Sequence, residues 1–131
     1  MTARLSRRLA LALLVVATLS CKKSTPTTPS PGSTPQVQTN TITITASGAN
    51  PRNVLIAVGT RVTFVNNDNR SHNMTSDPHP DHTQCPEINQ VGFLSPGQSR
   101  ETGNLVVART CGFHDHDDPG QAPLQGQIVI R

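Results

Sequence analysis

The chain predicts an all-β domain, a sandwich or a barrel, and three observations carry that expectation. Short apolar stretches alternate with polar residues at period two, turn-forming clusters separate them, and no stretch shows a convincing helical period. Strands of this kind bury their apolar faces by packing sheet on sheet or by closing on themselves.

Thr39 to Ala46 alternates most cleanly. Ile42, Ile44 and Ala46 fall on one face and Thr41, Thr43 and Thr45 on the other, which describes a half-buried strand. Ser47 to Pro51 breaks it. Val54, Ile56 and Val58 share a face of the next strand, which stops at Gly59-Thr60. Val62 and Phe64 carry a third strand to the polar turn Asn66 to Asn69. The section from His72 to Leu94 holds Pro78, Pro80 and Pro86 and reads as irregular; a loop of that length in a compact domain is usually functional or disordered. Ser95-Pro96-Gly97-Gln98 reads as a tight turn. Leu105 to Thr110 and Gly126 to Arg131 read as late strands, with Ile128 and Ile130 on one face. With no Trp or Tyr, the core is expected from Val, Ile and Leu together with Phe64, Phe93 and Phe113.

The formal charge of +3 is unevenly placed. Arg4, Arg7, Arg8, Lys22 and Lys23 lie near the start, whereas from Val37 onward there are six Arg, no Lys and eight acidic residues. The basic balance therefore belongs to the leader, and nucleic-acid binding has no support. Behind the first arginines, Leu9 to Leu19 is apolar but too short to span a bilayer, so residues 1–20 read as a secretion signal. The end of that segment, Leu19-Ser20-Cys21, resembles the lipobox of bacterial lipoproteins, which implies lipidation of Cys21 and a cell-envelope location outside the cytoplasm, periplasmic in a cell with that compartment. Residues 21–36 are rich in Ser, Thr and Pro and read as a flexible tether, leaving 37–131 as the domain.

Chemistry concentrates at Cys111-Gly112-Phe113-His114-Asp115-His116. Read as a loop between two strands, this stretch aims a thiol and two imidazoles at one point. His72, just past the Val62–Phe64 strand, supplies the partner such a centre needs. Two imidazoles and one thiolate make a set that favours copper. The bland alternative is a disulfide. With Cys21 lipidated, Cys85 and Cys111 form an even pair in an oxidising compartment, where pairs are usually bridged. His79 and His82 read as residues of a solvated loop or as additional ligands. His116 reads as a ligand, an outer-shell residue or a surface residue. Zinc in a Cys2His2 arrangement has only weak support, because neither Cys lies in a C-x-x-C pair.

Val58-Gly59-Thr60-Arg61-Val62-Thr63-Phe64-Val65-Asn66-Asn67, then Ser71-His72-Asn73, Leu94-Ser95-Pro96-Gly97-Gln98-Ser99, Cys111-x-x-His114 and Gly126-x-Ile128-x-Ile130 resemble the cupredoxins of the plastocyanin and azurin type. The resemblance covers roughly Thr39 to Arg131. It implies a Greek-key β-sandwich and a mononuclear type 1 copper site, with His72, Cys111 and His114 as ligands and electron transfer as the function. The family usually places an axial Met after the second His. Here Asp117 to Gln121 follow, so Gln121, an Asp, His116 or a backbone oxygen takes that place, or it is empty. Three function classes follow: a membrane-tethered electron carrier with a redox partner protein; a copper-handling lipoprotein with a His-only site and a Cys85–Cys111 disulfide; or a metal-free interaction module. An enzyme is not expected, and the domain is expected as a monomer.

Overall fold

The computed structural model describes residues 35–131. The secretion signal, Cys21 and all but the last two residues of the tether lie outside them. Ten strands follow in chain order: β1 (Val37–Gln38), β2 (Thr41–Thr45), β3 (Gly48–Asn50), β4 (Asn53–Ile56), β5 (Thr63–Asn66), β6 (His72–Ser76), β7 (Gly92–Leu94), β8 (Ser99–Glu101), β9 (Thr110–Asp115) and β10 (Gly126–Ile130). They form a sandwich of a six-stranded sheet, ordered β1-β4-β10-β9-β6-β7, and a four-stranded sheet, ordered β3-β2-β5-β8.

Period-two patterning decides what each sheet turns inward. Ile42 and Ile44 of β2 are fully buried while the threonines between them stay outside the core. β2 runs parallel to β5 with Ile42 opposite Phe64. Phe64 then meets Phe113 of β9 edge-on, ring centroids 5.2 Å apart, so one aromatic pair joins the two sheets. Val62, Ile128 and Ile130 complete the expected core.

Several expectations fail for identifiable reasons, Ala46 among them, exposed because β2 ends at Thr45. Val58 is 48% exposed, because β4 ends at Ile56 and the chain turns at Gly59. Phe93 is 51% exposed: it sits on the edge strand β7, and its neighbour Leu94 takes the inward position. The strand expected over Leu105 to Thr110 is displaced. Only Leu105 is buried, through a bridge to Thr60, and Val106 and Val107 are exposed. Ladder partners on β10 begin at Thr110, so the strand runs from there to Asp115. The Cys111–His116 stretch is therefore a central strand and its end, not a loop. The irregular section likewise starts later than expected, after β6 ends at Ser76.

Candidate metal centre

β9 lies between β10 and β6, and its alternation decides which chemistry meets. Cys111 pairs with Ile128 and Asp115 with Met74, both partners being core residues, so Cys111, Phe113 and Asp115 face inward. His114, three residues after Cys111, faces the opposite side of the sheet, paired with Thr75.

The trio expected from the sequence is thus divided. Cys111 is fully buried and bonded to Cys85, with the two Cα atoms 5.8 Å apart, so it offers no thiolate. His72 faces inward and is 1% exposed. Its Nδ1 stands 2.7 Å from Asp115 Oδ2 and its Nε2 3.1 Å from Asp68 Oδ2. Both ring nitrogens face carboxylates, so neither is free for an ion. Asp68 is pushed up by burial, but the Asn69 N–H, His72 and Arg70 outweigh that and hold its carboxyl below the usual value. Asp115 is held in turn by the N–H groups of Asn73 (3.0 Å) and Asp117 (3.2 Å).

On the other face four imidazoles gather. One ring nitrogen each from His79, His82 and His114 lies within 4.8 Å of the others. His116 Nδ1 stands 3.2 Å from His82 Nε2, and its ring lies 5.1 Å from that of His79. Two nitrogens bound to one tetrahedral ion at ~2.0–2.1 Å stand roughly 3.3 Å apart, a separation that the His82–His116 pair matches. His114 and His116 are two residues apart at the end of β9, and the His116 N–H donates to Asn73 C=O (2.7 Å), which continues the pairing with β6. His79 and His82 come from the segment after β6, which is tied down repeatedly. The Asp77 N–H donates to Gly112 C=O (3.1 Å), the Gln84 side chain accepts from the Gly112 N–H (2.8 Å), and the Ser76 hydroxyl accepts from the Cys85 N–H (2.8 Å). The disulfide adds a covalent tie from Cys85 to the same strand.

Burial, then the neighbouring His114, His116 and His79, lower the pKa of His82 from its ordinary 6.5, with Asp81 opposing. The neutral imidazole, the form that binds metal, is thereby favoured. His114 is 3% exposed, and its Nδ1 lies 2.6 Å from the Asp77 carboxylate. Histidine ligands commonly carry such a carboxylate on the nitrogen that does not face the ion. The rings grade outward from His114 (buried) through His82 and His116 (half-buried) to His79 (exposed).

No family model and no curated protein matches the chain. Solved structures do. A novel purple cupredoxin from Nitrosopumilus maritimus is similar with a TM-score of 0.56 and 21% identity, over 71% of this chain and 100% of that one. A plastocyanin from Dryopteris crassirhizoma in its oxidized form gives 0.54 and 16%, over 70% and 99%. A mutant amicyanin in its Cu(I) state gives 0.56 and 16%, over 70% and 80%. The chain has a cupredoxin-like fold. Within it, His114 and His116 of the expected ligands join the imidazole cluster, whereas His72 and Cys111 do not.

In the sequence His79 and His82 read as residues of a solvated loop or as additional ligands, and the structure brings both to the cluster. Two signals point more directly to the cluster. His114-x-His116 at strand period sets two imidazoles on one face, and Gly112 within a strand marks a close approach by another segment. Asp77 makes that approach: a Cβ at Gly112 would collide with its carboxylate.

Proposed function

We propose that this cupredoxin-like domain binds one copper ion through His79, His82, His114 and His116 and serves to capture or hand on copper outside the cytoplasm. The observation that carries the proposal is the convergence of His79, His82 and His114, with the His116 ring packed against the first two, while every described sulfur is withdrawn, Cys85 and Cys111 into a disulfide and Met74 into the core. Imidazole sites rank Cu(II) above the other first-row divalent ions, and soft sulfur ligands are what select Cu(I). Copper, there as Cu(I), is also the metal named for the amicyanin neighbour. Bound there, the ion supplies a Cu(II) centre with nitrogen ligands. The chain's part is to present the imidazoles and hold them in place. A type 1 electron carrier needs a thiolate that Cys111 does not offer, so binding and handling is the better-supported activity.

The disulfide supports an oxidising compartment. Among the described residues no helix is long and apolar enough to cross a membrane. Attachment through lipidated Cys21 completes the proposal, and Cys21→Ser should release the protein from the membrane fraction or block its processing. Unchanged membrane partition and mass would remove the anchor.

Titration of the protein with Cu(II) against a competing chelator tests the site. One ion per chain is expected. His82→Ala and His114→Ala should each weaken binding by more than the roughly 10–100-fold typical of losing an outer-shell partner. Unchanged affinity in both variants would overturn the assignment.

A further inference from the structure

We propose that Asp77 is a positioning residue for His114, holding it in the tautomer whose Nε2 is free to bind the ion; the metal role of His114 rests on the function proposed above. A carboxylate accepts hydrogen bonds and cannot donate them, so the 2.6 Å contact requires the proton on His114 Nδ1. The other nitrogen, Nε2, faces the Thr75 hydroxyl at 3.4 Å, a long contact that an ion displaces readily. Free imidazole samples both tautomers, and a ligand that must first change tautomer loses affinity. Fixing the proton in advance removes that cost.

The fold is arranged around this contact from three sides. The Asp77 backbone is pinned at both ends, its N–H donating to Gly112 C=O (3.1 Å) and its C=O accepting from the Gln84 N–H (2.9 Å) and the Ser76 hydroxyl (3.0 Å). Gly112 lacks the Cβ that would occupy the carboxylate's place. His114 is buried on β9 with the 77–87 segment against it, so its ring has little freedom to turn elsewhere. Asp77 keeps 45% of its own side chain exposed. It can therefore be replaced without opening the core. Each of these features serves the contact between one carboxylate and one ring nitrogen. The carboxylate also makes the imidazole a more basic ligand and offsets part of the ion's charge.

The test joins two readouts on the full chain, comparing wild type, Asp77→Ala and Asp77→Asn. Long-range proton–nitrogen NMR of the metal-free protein reports the His114 tautomer directly. The Nδ1–H form is expected in wild type, retained in Asp77→Asn, whose amide oxygen still accepts, and lost to a mixture in Asp77→Ala. Cu(II) affinity by chelator competition should fall about 10–100-fold in Asp77→Ala and less in Asp77→Asn. An Nε2–H tautomer in wild type, or an unchanged tautomer in Asp77→Ala, overturns the positioning role whatever the affinities are. If the tautomers behave as expected but wild type binds no Cu(II), the positioning stands and the copper function falls.

Discussion

His72 and His114 sit on adjacent strands, both buried and both within 2.7 Å of a carboxylate, yet they do different things. The second nitrogen separates them. That of His72 ends on Asp68, so the ring is spent inside the sandwich as a clamp between two buried carboxylates. That of His114 meets only a distant hydroxyl on a face shared with three other imidazoles. Burial and an acidic partner therefore do not distinguish a structural histidine from a candidate ligand. What distinguishes them is whether the other end of the ring is already satisfied.

The comparison breaks most visibly if His72 is removed. His72→Ala leaves Asp68 and Asp115 buried without their shared partner, and should cost ~3–5 kcal/mol in urea denaturation. Copper stoichiometry in the folded fraction should not change. His114→Ala should do the reverse, abolishing tight binding with a smaller loss of stability. If the His72 variant loses copper while remaining folded, the division between the two faces is wrong.

Removing the disulfide should come next in size. The bridged cysteines are 26 residues apart, and the chain-entropy account gives about 3.5 kcal/mol for closing such a loop. The double variant Cys85→Ser, Cys111→Ser should lose stability of that order. It should also bind copper more weakly, because the segment carrying His79 and His82 loses its covalent tie. Full affinity in a stable double variant would show that the hydrogen bonds alone position the loop.

The smallest effect concerns pH. Since folding lowers the pKa of His82, the unfolded chain takes up a proton that the fold resists. Stability of the metal-free protein should therefore fall as pH drops below His82's ordinary 6.5 toward its lowered value, with no contribution above that range. Denaturant midpoints measured between about pH 7.5 and about pH 5.5 should show the fall, and His82→Ala should reduce it. Equal slopes in the two proteins would remove His82 as its source.

The sandwich was legible because alternation and turn residues act locally. Ile42, Ile44, Val62, Phe64, Ile128 and Ile130 all lie inside as their period predicts. The site was half legible. The sequence marks His114 and His116, but as a loop it would make Cys111 and His114 neighbours. In a strand the same three-residue spacing sends them to opposite faces, and Val106 and Val107, apolar yet exposed, drew the strand too early. His79 and His82 reach the site through the way their segment folds onto Gly112, a long-range contact that no local pattern records. The sequence leaves the disulfide open beside Cys111 alone or both thiols as ligands, because spacing alone does not show which side of a sheet a thiol faces.

The most direct measurement is the visible and EPR spectrum of the Cu(II)-loaded protein, taken with a free-thiol count on the same sample. One ion per chain, weak visible absorption, nitrogen hyperfine structure and no free thiol in the domain are expected. An intense thiolate-to-copper band that disappears in Cys111→Ser would contradict that expectation, returning Cys111 to the metal and the domain to electron transfer.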